Sequence, residues 1–160
     1  GDFKDNRIIP DLIRSIKYGK KLILRNPNST RPWQHVLEPL SGYMLLGKKV
    51  MEKKLSNKFY PSWNFGPTKN NCKKVIEIIR MFYDYLNLPK NFVIKHENKI
   101  MKEAKLLSLN ISKAKKELNW QPSLSLDESI GFTCDWYTSY LSQNQAENVT
   151  EDQIEFFSSK

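Results

Sequence analysis

Arg25-Asn26-Pro27-Asn28-Ser29-Thr30-Arg31-Pro32-Trp33-Gln34-His35-Val36-Leu37-Glu38-Pro39-Leu40 is the stretch on which the reading of this chain turns. Two arginines, a tryptophan and an amide crowd a turn between two regular elements. Before it, Leu22 to Arg25 reads as a short strand closed by the turn signal Asn26-Pro27-Asn28. After it, Pro39 suits the first turn of a helix running to about Lys53, with Leu40, Tyr43, Met44 and Leu46 as much of its buried face. Arginine offers a rigid fork of donors matched to phosphate, while Trp and Pro supply flat apolar surface. That mixture suits a nucleoside diphosphate. An arginine–carboxylate pair beside a core tryptophan would use the same residues, and the chemistry alone leaves both open.

Outward from this stretch the chain alternates helices with scarce strands. Pro10 to Tyr18 has apolar residues at helical spacing (Ile9, Leu12, Ile13, Ile16) and a stop at Gly19. Phe59 to Phe65 reads as a strand ending at Gly66-Pro67, and Asn70 or Asn71 as the cap of a helix whose stripe is Val75, Ile76, Ile79, Phe82, Tyr83 and Leu86. Residues 87–102 read as a Lys-rich loop with a possible Phe92-Val93-Ile94 strand, and Leu106 to Leu109 as another brief strand. Ser112 to Leu118 is a short helix stopping near Trp120-Gln121-Pro122. Ser125 and Glu128 form a capping box opening a last helix, with Ile130, Trp136, Tyr137 and Leu141 inward. Residues 142–160 are polar and acidic and read as an unstructured tail.

The 160 residues carry 26 Lys and Arg against 17 Asp and Glu, a formal charge of +9. Four acids against Lys160 alone occupy Glu147 to Lys160, so the body is more basic than the whole. A basic body points to an anionic partner. With 39% hydrophobic residues the chain is too apolar for disorder, and it has no apolar run long enough for a membrane span. No nucleic-acid-binding signature accompanies the charge. The two cysteines, Cys72 and Cys134, cannot form a disulfide framework, and His35 and His96 have no partner at metal-ligand spacing, so no metal site is expected. A soluble, cytoplasmic protein without membrane or nucleic-acid partners is the expectation.

Gly42 to Lys48 superficially fits a phosphate-binding loop, but Lys49 stands where Ser or Thr should bind magnesium, and the intervening residues are bulky and helical. His35 reads as a structural hydrogen-bonding residue rather than a catalyst.

Arg25-Asn26-Pro27 with Arg31-Pro32-Trp33-Gln34-His35-Val36-Leu37-Glu38-Pro39-Leu40 resembles the CDP-glucose 4,6-dehydratases, extended short-chain dehydrogenase/reductases acting on nucleotide sugars. Gly1-Asp2-Phe3 with Asp5 to Asp11, Trp63 to Pro67, Lys102-Glu103-Ala104 with Leu107 to Ala114, and Glu117 to Pro122 follow in the family's order. The likeness covers residues 1–141. It departs from the pattern at Lys102, in place of His, and at Asn110, in place of Asp.

The resemblance implies an α/β fold. The chain would be the C-terminal, substrate-binding portion of a Rossmann-type enzyme, with few short strands, about five helices and no N-terminal NAD-binding half. Arg31 would contact the diphosphate, Arg7 would lie near the nucleotide, Ile23 and Arg25 would line the base pocket, and Glu103 would add a C-terminal contact. NAD would belong to the parent enzyme and not to this chain: no glycine-rich dinucleotide motif occurs, nor the Tyr-x-x-x-Lys pair of the family's catalysis. No catalytic residue is therefore assigned. The implied parent is a homodimeric NAD-dependent lyase making CDP-4-keto-6-deoxyglucose, a precursor of surface O-antigen sugars, and the chain alone would be inactive. A nucleotide-sugar epimerase portion, a stand-alone nucleotide-sugar-binding protein and a basic nucleic-acid binder are the rival readings. Without the other half, Met44, Leu45, Phe82 and Tyr83 are expected to form an exposed apolar patch.

Overall fold

The structure is a computed structural model and describes residues 2–52, 62–95, 107–143 and 146–160. Five α-helices and four three-residue strands are formed among these residues. Helix α1 spans Ile8–Lys17, and the left-handed Gly19 (φ 62°) ends it, freeing the chain to turn into strand β1, Leu22–Leu24. Strand β2 is Thr30–Pro32 and helix α2 is Leu37–Met51. Strand β3, Cys72–Lys74, leads directly into helix α3, Val75–Tyr85. Strand β4 is Phe92–Ile94. A wide helical turn at Ala114–Leu118 ends on left-handed Asn119 and precedes helices α4, Leu126–Gln143, and α5, Ala146–Ser158.

The strands form two separate pairs. β1 runs parallel to β4, with Leu22 opposite Phe92 and Leu24 opposite Ile94. β2 runs antiparallel to β3, with Arg31 opposite Lys73. The parallel pair is possible because α3 provides the crossover between β1 and β4. The main core joins Leu12 of α1, Leu22 and Leu24, the α3 stripe Ile78, Ile79, Phe82 and Tyr83, and Ile130 and Cys134 of α4. A second cluster gathers Phe65, Ala114, Leu118 and Trp120 under α2.

Several expectations meet corrections. Phe82 and Tyr83 are buried, not exposed, because α4 covers α3 from within this same chain. On α2 Glu38 and Gly42 are buried and Leu45 and Leu46 pack against the second cluster, so Leu46 faces inward as read and Leu45 is not part of an exposed patch; Leu40, Tyr43 and Met44, read as core, face outward, with Met44 77% exposed. Gly42 is the cause: the helix lies against the Phe65 ring, where only a residue without a Cβ fits. Helix α3 starts at Val75 rather than at an Asn70 or Asn71 cap, since Glu77 Oε2 accepts the Lys74 backbone N–H at 2.8 Å. Residues 62–65 and 107–109 pair in no strand; of the two strands read there, Phe59 to Pro61 and Leu106 lie outside the described residues.

The acidic stretch read as an unstructured tail contains α5. It docks on α4 through Thr150 Oγ1, which accepts the Trp136 indole N–H at 2.9 Å. Gln153 Nε2 donates to Phe132 O at 2.8 Å, and Lys160 Nζ meets Glu128 Oε1 at 2.5 Å. The Ser125–Glu128 capping box forms as read, with bonds of 2.7 and 3.2 Å.

Candidate binding site

Strand alternation arranges the first group of residues. Leu22 and Leu24 are buried, so Ile23 and Arg25 project from the opposite face, where Ile23 is 54% exposed. Val93, the register partner of Ile23, is also exposed. Asn6 at left-handed φ turns the segment before α1 toward this face, and its Oδ1 accepts a bond from Arg25 Nη2 at 3.3 Å. Arg7 follows as the N-cap of α1 and holds Asp2 at 2.8 Å. The structure therefore brings Ile23, Arg25 and the Arg7 segment together. Arg31 lies on the other strand pair, half-buried, with Nη1 donating to Thr30 O at 3.0 Å. Glu103 and His96 lie outside the described residues.

The loop after β2 is held from within. The Trp33 indole donates to Lys73 O at 2.9 Å, and the Trp33 backbone N–H to Asn71 O at 3.2 Å. Trp33 is thus a structural anchor of the β2–β3 pair, packed against the main core. Gln34 Nε2 donates to Phe65 O at 3.0 Å, while its buried Oε1 has no hydrogen-bond partner among the described residues. His35 Nδ1 accepts from the Leu37 N–H at 3.4 Å, and its ring meets Phe132 edge-on at 5.5 Å.

Gln34 and His35 open onto a cleft of about 500 Å³ between the start of α1, this loop, α4 and α5. Its walls are largely apolar, and Arg7, Thr133, Trp136, Thr150 and Gln153 also line it. Tyr137 fixes the entry segment to α4: its hydroxyl donates to Asp2 O at 2.5 Å and accepts from Asp2 N at 3.1 Å. Of the residues singled out from the sequence as site residues, only Arg7 lines this cleft. Thr150 and Gln153 fell in the stretch read as tail, and Trp136 and Tyr137 read as core; no motif marked them.

Burial pushes the His35 imidazole down to about 4, so it is neutral at pH 7. A base whose folded value lies below its unfolded one contributes stability above about 6.5 that is lost as pH falls through the folded value. We expect the urea midpoint to drop between pH 6.5 and 4, by on the order of 2 kcal/mol in stability, and His35→Gln to flatten that drop. An unchanged slope in the variant would remove His35 as the cause.

Among the described residues no three His, Cys, Asp or Glu gather as a metal site, and no helix is long and apolar enough to cross a membrane. The described residues do not fit NAD either. The one parallel pair has only two three-residue strands, and no glycine-rich turn joins a strand to a helix there.

This fold recurs in solved structures of epimerases and of a dehydratase. An epimerase from Methanothermobacter thermautotrophicus superimposes with a TM-score of 0.71 at 20% identity, over 92% of this chain and 40% of that one. UDP-glucuronic acid 4-epimerase from Bacillus cereus, solved with UDP-glucuronic acid and NAD, gives 0.70 at 19% identity over 85% and 41%. dTDP-glucose 4,6-dehydratase from Bacillus anthracis, solved with NAD, gives 0.67 at 19% over 89% and 42%. No protein-family model matches the chain. The chain has the α/β fold of a portion of these chains, about 40% of each. Its sequence is similar to CDP-glucose 4,6-dehydratase of Salmonella typhimurium LT2, with 37% identity over 141 residues, 88% of this chain. The chain spans 38% of that relative's length.

Proposed function

We propose that this chain is the nucleotide-sugar-binding portion of a CDP-glucose 4,6-dehydratase-type enzyme. The observation that carries this reading is the 37% identity to that dehydratase. The diphosphate would meet Arg31, whose guanidinium positions it through charge-assisted bonds. Ile23 and Arg25 would face the base, with Arg7 at the edge of the site, and Glu103 would complete the contacts. An NAD-binding half would supply cofactor and catalytic residues; the outward α2 face, with Leu40, Tyr43, Met44 and Met51 exposed, is apolar surface suited to packing against it. The same reading implies a homodimeric parent in the cytoplasm, feeding deoxysugar assembly for the cell surface. Epimerases share the fold at 17–20% identity, which leaves the sequence similarity to favour the dehydratase.

Titration calorimetry with CDP-glucose tests the binding claim. Arg31→Ala should weaken binding about tenfold or more, as loss of a charge-assisted contact does, and Arg31→Lys should recover only part of it. Equal affinity in wild type and Arg31→Ala would remove Arg31 from the site, and no binding of CDP-glucose by the wild type would overturn the reading. Incubated alone with NAD and CDP-glucose, the chain should form no 4-keto-6-deoxy product by mass spectrometry; product formation would refute the assignment of chemistry to another half.

A further inference from the structure

Residues 2–7 belong to no helix or strand, yet side chains grip this segment from two sides. Backbone outside regular structure keeps a single course only where such contacts offset its lost conformational freedom. Arg14 of α1 supplies one grip. Its Nη1 donates to Phe3 O at 2.8 Å and its Nη2 to Lys4 O at 3.4 Å. The same Nη2 meets Asp5 Oδ1 at 3.1 Å and Asp11 Oδ1. A planar guanidinium serves two carbonyls and two carboxylates at once, which the compact ammonium of lysine does not match. Helix α4 supplies the other grip. The Tyr137 hydroxyl donates to Asp2 O and accepts from Asp2 N, and the Phe3 ring sits among Trp136, Tyr137 and Tyr140 at 5.0–6.3 Å. Both grips end just before Asn6, whose φ of 62° is left-handed and whose Oδ1 accepts from Arg25 Nη2 at 3.3 Å. Contacts therefore run from α4 and Arg14 through residues 2–5 to Asn6, and on to Arg25 beyond the end of β1.

We propose that Arg14 and Tyr137 are positioning residues: they fix the segment before α1 so that Asn6 holds the Arg25 guanidinium in place for the nucleotide. The inference rests on the nucleotide-sugar reading and adds to it the device that sets one of its contacts. Arg25 has a long, rotamer-rich stem, and ordering such a side chain on binding weakens affinity. A guanidinium already held by Asn6 loses less freedom when the ligand arrives, which is the gain of preorganisation. Arg14 and Tyr137 act on this step only through the segment, since their bonds go to residues 2–5 and 11.

The test is a double-mutant cycle read by calorimetry with CDP-glucose. Asn6→Gly keeps the left-handed turn and removes the bond to Arg25. It should weaken binding about fivefold, as loss of one ordering hydrogen bond does. Arg14→Ala should weaken binding about as much, and the double variant no further, because both changes act through the same bond. Arg14→Lys should recover little, since it keeps the charge without the fork. A grip with a merely structural role would lower the urea midpoint and leave affinity at the wild-type value, or its loss would multiply with that of Asn6→Gly to about twenty-five-fold. Either result overturns the proposal. If Arg14→Ala does not fold, Tyr137→Phe takes its place in the cycle, because it keeps the ring against Phe3 and removes only the hydroxyl. Wild type that binds CDP-glucose while Asn6→Gly binds it equally well overturns the positioning role alone. Wild type that fails to bind CDP-glucose overturns the nucleotide-sugar reading, and the positioning role with it.

Discussion

Glu38→Ala should cost about 3 kcal/mol of folding stability, lowering the melting temperature by about 6–12 °C. Glu38 is 1% exposed on the first turn of α2. Its Oε1 accepts the backbone N–H groups of Ser123 at 2.9 Å and Leu124 at 2.6 Å, so one carboxylate oxygen fixes the loop leading into α4. The neighbouring Ser41 accepts the Trp120 indole N–H at 2.9 Å, tying the same two segments again. Alanine leaves two donors without their acceptor and opens a cavity where the side chain stood.

Burial raises the Glu38 carboxyl above its usual range, against the two backbone bonds that favour the charged form, and Oε2 has no hydrogen-bond partner among the described residues. The sign follows. A raised folded value gives stability that is present below the unfolded value and lost as pH rises through the folded one. Glu38→Gln keeps the acceptor and cannot ionise, so it should cost less than alanine and lack that alkaline-side loss. Thermal melts of the two variants from pH 4 to 8 check both statements. An alanine loss under about 1 kcal/mol would mean the loop is held by other contacts.

Gly42→Ala should destabilise by about 2–3 kcal/mol although alanine is the better helix former. A Cβ at this position would lie 2.2 Å from the Phe65 ring, well inside van der Waals contact. Propensity offers about 1 kcal/mol in return, and overpacking exceeds it. Phe65 cannot retreat freely, because it packs edge-on against Trp120 at 5.0 Å and Tyr43 at 5.4 Å. Gly47, on the same helix with nothing within 4 Å of its Cβ position, is the control: Gly47→Ala should stabilise by up to about 1 kcal/mol. Urea unfolding of both variants tests the contrast, and equal shifts in one direction would show that Phe65 gives way. Gly42 and Gly47, superficially spaced as in a phosphate-binding loop, thus differ in kind: one admits an aromatic ring and the other is open helix surface.

Local chemistry was legible where short-range signals decide. The Gly19 stop, the Ser125–Glu128 capping box, the β1 strand, the α1 helix and the inward α3 stripe follow from residue spacing and backbone preference within a few positions. The Arg25 to Leu40 stretch also disclosed the relationship to a nucleotide-sugar dehydratase through its residue order. Tertiary structure alone decided which face of α2 turns inward, because an apolar stripe shows that a helix has a face but not which neighbour a glycine admits. It alone decided that Trp33 anchors a strand pair and that Glu38 binds a loop 85 residues away. It also turned a polar tail into a helix: α5 has weak amphipathy of its own and is held by bonds to α4 that no local pattern encodes. The cleft draws on residues from positions 2 to 153, so only the folded chain defines it.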